Sequence, residues 1–504
     1  MTNEPALSQE VLRELDLGNS VAEHDDALER YFVETEAFRR LVRGTVDIVA
    51  GDKGTGKTAL YRILVRRARA LDELRDIEIV TAFNPVGNSV FQRLAEGDVL
   101  AEGQYASIWK AYILSLVGNW VLAIYQDDLS EEMRRLQQLL ARLDLLSGDE
   151  SPNAVFSGVV NLVRRITNPR SAEVAISFGP QGMPVLVPKI EFQDPGPPPS
   201  DPLVISHEEA FDTLTAVLDA ENLTIWVVFD RLDEAFQGFP TAEVPALRAL
   251  FRTYLDLQAF GRVRLKLFVR RDLFRRVMSG GFVNLTHVNA RRFDITWTDE
   301  DLYDLLFRRF SDSASFIEML GVPGDADAIF DAVFPEKVDP GNRKPRTWPW
   351  ILSRVRDGNG IKPPRNLIDL VKKAQEAQLR QEERAATRYE PGNLIRSDSL
   401  KRGLAALSKD RVEDTLLAEA GDYAALIERF RRGKTEHNDE SLATQLRLPP
   451  DEARDAAEVL RELGFLEQVG DNYKIPMLYR DGLELTQGKA FTATGDEDAD
   501  DDET

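Results

Sequence analysis

Residues Gly51-Asp52-Lys53-Gly54-Thr55-Gly56-Lys57-Thr58 combine three glycines, two lysines and two hydroxyls in the order G-x-x-x-x-G-K-[ST]. This set suits phosphate. Glycines let the backbone curl until successive N–H groups face one anion, and a helix N-terminus behind the loop adds positive potential. Lys57 would reach the β and γ oxygens, and the Thr58 hydroxyl would ligate Mg²⁺. The chemistry needs a strand before the loop and a helix after it. Thr45-Val-Asp-Ile-Val-Ala is a short β-branched run ending at Gly51, and Thr58-Ala-Leu-Tyr-Arg-Ile-Leu-Val reads as a helix with Leu60, Ile63 and Leu64 inward. The segment is therefore expected to bind ATP with Mg²⁺ through all eight residues. The competing reading is a glycine-rich turn before a helix, with Lys57 solvated.

A cradle of this kind calls for an acid at the end of another buried strand. Ile225-Trp-Val-Val-Phe-Asp230 supplies one, followed by Arg231-Leu-Asp233-Glu234. Asp230 is expected to hold Mg²⁺ with Thr58, and Asp233 or Glu234 to orient or deprotonate the attacking water. Two acids placed just after the magnesium aspartate favour hydrolysis over phosphoryl transfer to a metabolite. His24, His207, His287 and His437 are scattered without metal-ligand spacing, so no zinc site is expected.

The elements that must position these groups can be read from periodicity. From Ala6 to Gly44 the pattern is helical and polar. Further strands are expected at Ile77–Phe83, Leu223–Phe229, Arg264–Arg270 and near Val288–Ile295, with helices at Trp109–Ile124, around Glu131–Leu146 and at Glu208–Ala220. Strands alternating with helices imply a mostly parallel sheet covered on both faces. Ser171–Phe178 and Met183–Phe192 alternate apolar and polar residues around Gly179-Pro-Gln-Gly, which predicts a hairpin inserted into the α/β core and closed by the stiff Asp194-Pro-Gly-Pro-Pro-Pro-Ser-Asp-Pro linker. Asp299 to about Arg388 reads as helical with a break at Lys362-Pro-Pro. Short helices from Ser397, followed by a hairpin turning at Gly470-Asp-Asn, read as a winged helix.

The expected organisation is a 1–44 helical lead-in, a 45–298 core carrying an insert at 128–200, a 299–390 helical lid, a 397–485 winged helix and a 490–504 acidic tail. A chain of 504 residues fits about three domains. With 43% hydrophobic and 29% charged residues the composition is that of a folded protein. The absence of cysteine removes disulfides and thiolate chemistry and fits a reducing compartment. No signal-peptide order is seen at the start and no apolar run of membrane length stands out, so a cytoplasmic protein without membrane contact is expected. The formal charge of −22, with seven acids between Asp496 and Thr504, opposes a nucleic-acid footprint spread over the surface.

Taken together, the phosphate-binding loop (Walker A), the apolar strand ending in Asp-x-x-Asp-Glu, the strand ending in Arg270-Arg271, the segment Pro364-Arg365-Asn-Leu-Ile and the C-terminal winged helix resemble bacterial P-loop ATPases of the ASCE division related to STAND and origin-recognition (AAA-like) proteins. Gly18-Asn-Ser-Val-Ala-Glu-His-Asp-Asp-Ala-Leu-Glu-Arg-Tyr-Phe is similar to the lead-in of stand-alone bacterial ATPases of that group. The resemblance implies an α/β P-loop NTPase core with a parallel sheet, a helical lid and a C-terminal winged-helix domain that swing with nucleotide state. It also implies Arg270 or Arg271, of which Arg271 is the choice, at the sensor position, and Arg365 touching the γ-phosphate. No arginine stands out as a trans-acting finger. The leading expectation is an ATPase whose turnover drives a shape change, possible settings being bacterial defence or DNA maintenance. Its rivals are a nucleotide-gated docking module with little turnover and a P-loop kinase of a small metabolite. A protein partner or self-association is expected. Nucleic acid is not favoured, because the helix in the recognition position, Pro450–Leu463, is net acidic.

Overall fold

The computed structural model describes residues 8–82, 100–126, 128–147, 206–234, 240–279, 281–383 and 393–491, with short pieces of 152–187. The chain divides into two compact units. One comprises 36–51 and 57–295, and the other 1–35, 52–56 and 296–504.

The first unit is built on β1 (Ile48–Gly51), β2 (Ile77–Thr81), β5 (Thr224–Phe229), β6 (Val263–Arg270) and β7 (Arg292–Asp294). A separate hairpin, β3 (Ala175–Phe178) with β4 (Pro184–Val187), pairs antiparallel in the register Ala175↔Val187. The expected turn at 179–182 and the Pro-rich linker lie outside the described residues. The five-stranded sheet is wholly parallel in the order β2-β5-β6-β1-β7. Helices cover a sheet of this kind on both faces, so its strands need apolar residues at successive positions. Every residue of β1 is buried, and β5 buries Ile225 through Phe229 without interruption. The helix Glu102–Ile124 is the backbone of this core, with Trp109 and Tyr112 fully buried edge-on against Phe229. By length and apolarity this helix could cross a membrane, an amendment to the sequence reading. However, 72% of its most apolar window is buried inside the unit, as a core helix requires.

The second unit is α-helical at Asp299–Asp312, Ala314–Leu320, Ala326–Val333, Thr347–Val355, Pro364–Glu382 and Ser397–Asp410. It closes with β8 (Lys434–His437), the helices Asp439–Leu446 and Pro450–Glu462, β9 (Glu467–Val469), β10 (Asn472–Lys474) and β11 (Thr486–Lys489). The small sheet has the order β11-β8-β10-β9, with β9 and β10 antiparallel. Strand, two helices and a hairpin make the winged-helix topology. Its flanking strands β8 and β11 carry no apolar alternation, which is why they were not expected.

Two expectations need correction. Val288 lies in a helix, Leu285–Ala290, entered through Asn284 in the left-handed conformation, so the strand begins only at Arg292. The lead-in is mostly irregular between the Ser8–Glu14 and Glu36–Val42 helices. An irregular buried backbone needs partners for its carbonyls. Here the buried Arg309 donates to the carbonyls of Leu17 and Asn19 and to Asp25, and its guanidinium lies 4.1 Å from the centroid of the Tyr31 ring. The 490–504 tail is described only to Phe491, and its acidic stretch lies outside the described residues.

Candidate nucleotide-binding site

β1 ends at Gly51, and the Lys57–Arg67 helix follows a five-residue loop. Gly54 and Gly56 have φ of +79° and +97°, values that favour glycine and let the loop turn its N–H groups inward. Thr55, almost fully buried, closes the loop by donating from both its hydroxyl (2.8 Å) and its N–H (3.3 Å) to the Asp52 carbonyl. Lys57 Nζ folds back to donate to the Gly51 carbonyl at 2.8 Å, at the end of β1.

Asp230 follows β5, and its carboxylate accepts a hydrogen bond from the Thr58 hydroxyl. Burial pushes its carboxyl up to about 6, against the opposing effects of that hydroxyl, the Arg231 N–H and the Lys57 charge. The structure thus brings Lys57, Thr58 and Asp230 together. A hydroxyl beside a desolvated carboxylate is the oxygen-donor pair that a hard divalent cation takes, so the residues present fit Mg²⁺. Tyr61, one turn beyond Thr58, is a neighbour that sequence reasoning missed. It hydrogen-bonds Thr81, and burial followed by the Asp230 charge pushes its phenol up to about 12.

Arg231 is held at φ +56°, an uncommon state for a side-chain-bearing residue. This bend brings Glu234 N–H within 3.0 Å of the Arg231 carbonyl and its carboxylate within 3.3 Å of the Arg231 guanidinium. Because β6 lies between β1 and β5, the residues at its C-terminal end fall between the cradle strand and the Asp230 strand. Arg270 is in register with Gly51, binds Asp272 through two 3.0 Å bonds and stands 3.8 Å from Asp233. Arg271, the sensor expected from the resemblance, turns to the other side. It lies 3.6 Å from Asp294 and donates to the Ile295 carbonyl at 3.4 Å. Geometry therefore associates Arg270, rather than Arg271, with the candidate catalytic acids.

In the second unit, which includes loop residues 52–56, the Pro364–Glu382 helix starts at Pro364 with Arg365 in its first turn. A Cβ on Gly54 would lie 3.1 Å from Arg365 Cβ and 3.4 Å from Pro363 Cβ, so the bare glycine is what lets this helix start approach the loop. Arg365 Nε is buried and has no hydrogen-bond partner among the described residues, and the charge of Arg365 helps lower the pKa of Arg411. An unpartnered guanidinium nitrogen beside a like charge is suited to an anion. Lys53 is 2.8 Å from Glu419, which follows a π-helical turn at Arg411–Leu416, and Arg411 binds Asp369 on the Arg365 helix. Trp297 Nε1 donates to the Thr55 carbonyl at 2.9 Å and packs against a small apolar cluster of Val33, Leu305 and Ile368. These four residues come from three segments distant in sequence, and no local pattern in the chain marks them as a group.

The helix Pro450–Glu462 exposes Asp451, Glu452, Asp455, Glu458 and Glu462, while Arg454 and Arg461 are paired with acids of their own surface. In the nearby basic cluster, Arg429 donates to the Leu446 carbonyl, Arg431 pairs with Glu428, and Arg432 with Glu484.

No protein-family model matches the chain, and no curated protein matches it in sequence. Solved structures similar in fold include the Walker-type ATPase of Pyrococcus abyssi, at 12% identity over 94% of this chain and 99% of that one, with a TM-score of 0.40. Another is the ORC1 protein of Aeropyrum pernix in complex with DNA, at 14% identity over 90% and 92%, with a TM-score of 0.34. CDC6p of Pyrobaculum aerophilum is similar at 12% identity over 91% and 98%, with a TM-score of 0.30.

Proposed function

We propose that this protein binds Mg·ATP at Gly51–Thr58 and hydrolyses it, using turnover to switch its own shape. The observation that carries the reading is the Thr58 hydroxyl on the Asp230 carboxylate beside Lys57, at the ends of two strands of one parallel sheet. In this account Lys57 leaves the Gly51 carbonyl for the β and γ oxygens, while the loop N–H groups hold the phosphates. Thr58 and Asp230 hold the metal, and bound Mg²⁺ would supply charge neutralisation on the transferred phosphoryl group. Asp233 or Glu234 orients the water and accepts its proton. Arg365, beside Gly54, adds a cation on the phosphate side, and Arg270 holds Asp233 in place. Trp297, seated on the buried cluster of Val33, Leu305 and Ile368, braces the loop through the Thr55 carbonyl. Phosphate release from Mg·ATP, followed by malachite green, tests the reading. The wild type is expected to turn over and a Lys57→Ala chain to be silent, and equal release by both would overturn it.

One observation favours the rival of a docking module with little turnover. Both candidate acids face arginines, Asp233 with Arg270 and Glu234 with Arg231. A carboxylate engaged by an arginine has that oxygen occupied and is less available to accept from a water. Release from those pairs would then be the trigger, and turnover that rises on addition of a partner would favour it. The acidic outer face of Pro450–Glu462 and the internally paired arginines beside it support a protein partner or self-association rather than DNA.

A further inference from the structure

The second unit carries a groove of about 1550 Å³. Its floor holds Tyr303, Phe330 and Trp348, all partly exposed, with ring centroids 5.1–6.0 Å apart and Trp348 edge-on to the other two. Val469, at the tip of the wing, also lines it, 52% exposed and one of few large apolar side chains so open to solvent among the described residues. The volume exceeds the roughly 300–1,000 Å³ typical of small-molecule pockets and suits a length of polypeptide.

The charges decide what kind of polypeptide. Acids outnumber bases among the lining residues by seven to five. Four of those bases already face carboxylates: Lys362 with Asp299, Arg356 with Glu467, Arg346 with Glu336 and Lys474 with Glu436. Around the aromatic floor the acids are of the opposite kind. Glu300, Asp327 and Asp331 are exposed, and among the described residues Asp327 takes the neutral hydroxyl of Tyr303, at 2.8 Å, and no cation. Burial, that hydrogen bond and the charges of Asp327, Asp331 and Asp325 all push the Tyr303 phenol upward, a sign of how much negative potential gathers over the ring. Aromatic faces beside uncompensated carboxylates attract a guanidinium or ammonium twice over, through the ring quadrupole and through charge. A nucleic-acid strand would meet the same carboxylates as repulsion.

We propose that this groove docks an extended, basic segment of a partner protein, with an arginine or lysine over Trp348 and Tyr303 against Asp327 and Asp331 and an apolar side chain toward Val469. The proposal rests on the groove's own lining and does not depend on the ATPase reading. The test uses the full chain and a fluorescein-labelled peptide of repeating Arg-Leu-Gly, read by fluorescence polarisation against a repeating Glu-Leu-Gly control. The paired change Asp327→Asn with Asp331→Asn is expected to weaken binding about tenfold, as is Trp348→Leu, which keeps apolar volume and removes the indole. The equal charge change Asp451→Asn with Asp455→Asn, on the acidic helix elsewhere, is expected to leave affinity unaltered. Thermal unfolding of each variant identifies any that has lost its fold, and the two aspartate changes, being at exposed positions, carry the test if Trp348→Leu does not fold. Equal weakening by both aspartate pairs would reduce the effect to net charge and overturn the proposal. So would unchanged affinity in both groove variants, tighter binding of the glutamate peptide, or displacement of the basic peptide by single-stranded DNA.

Discussion

The two ends of β1 hold the same chemical groups in opposite conditions. At the entrance, Asp47 binds the fully buried Lys266 at 2.7 Å, is bound by Arg291 and accepts from Tyr254 at 3.1 Å. Lys266 also donates to the Val46 carbonyl at 2.7 Å and lies 3.8 Å from the centroid of the Trp226 ring. At the exit, Lys57 donates to the Gly51 carbonyl, and Asp230 accepts from the Thr58 hydroxyl and the Arg231 N–H. The entrance is saturated by side chains of the fold itself, as a buried ion cluster must be to offset its desolvation. The exit keeps a cation and a carboxylate close together on weaker partners that a phosphate or a metal can replace. A lysine and an aspartate next to a strand are therefore no signature of function; what distinguishes the exit is how readily their present partners give way.

The sharpest way to break this comparison is to remove a charge at each end. Lys57→Ala is expected to lower ATP affinity roughly a hundredfold or more, because it deletes the charge-assisted contacts to the phosphates, while the melting temperature stays that of the wild type. A fluorescent-nucleotide titration measures it, and tight binding by the variant would remove the cradle from Gly51–Thr58. Next in size, Asp233→Asn and Glu234→Gln, made separately, should leave ATP bound, with one of them losing about 10²–10⁴ in turnover. Wild-type rates in both would favour the docking module.

At the entrance the loss should appear in stability and leave nucleotide binding alone. Asp47→Asn leaves Lys266 and Arg291 without their counter-charge, a change worth about 3–5 kcal/mol in denaturant unfolding, with nucleotide affinity of the folded fraction unaltered. The sign of the pH dependence follows from the same contacts. Burial acts to raise the Asp47 carboxyl, but Arg291 and Lys266 outweigh it and hold the group below its usual value. Its stabilisation is present above the unfolded value of about 3.9 and is lost as pH falls through the lower folded value. The wild type should therefore lose stability more steeply than Asp47→Asn below about pH 4. Equal acid limbs would contradict the assignment.

How much of this was legible in the chain follows the same division. The cradle, Asp230 and Asp233-Glu234 are local: a strand, a glycine-rich loop and a helix specify them within a few residues, so their types and spacing predict their neighbourhood. The parallel sheet is legible because β5 is a near-continuous apolar run and strands alternate with helices along the chain, although Lys266 in the middle of β6 gives no hint that Asp47 and Arg291 meet it. Arg270 and Arg271 are adjacent in sequence, and only the register of β6 against β1 distinguishes the one facing Asp233 from the one facing Asp294. The irregular lead-in escaped because its order comes from Arg309, nearly three hundred residues away. Trp297, Val33, Leu305 and Ile368 form a cluster only through tertiary folding, and sequence periodicity does not report contacts of that range.

The smallest expected effect sharpens the picture of the exit. Glu419 holds Lys53 in the second unit, so Glu419→Gln should free that lysine for phosphate and tighten ATP binding by a few-fold, the scale of a partly exposed ion pair. Weaker binding would mean that the pair shapes the loop instead of restraining it.

Amide hydrogen exchange with and without saturating Mg²⁺ and a non-hydrolysable ATP analogue tests the central contrast most directly, since it reads both ends of β1 in one experiment. The account predicts slowed exchange in 51–58 and 230–234 on nucleotide addition, with no change in 44–48 or 263–267. Unchanged exchange at 51–58 under conditions that saturate binding, or protection confined to the Asp47–Lys266 end, would contradict it.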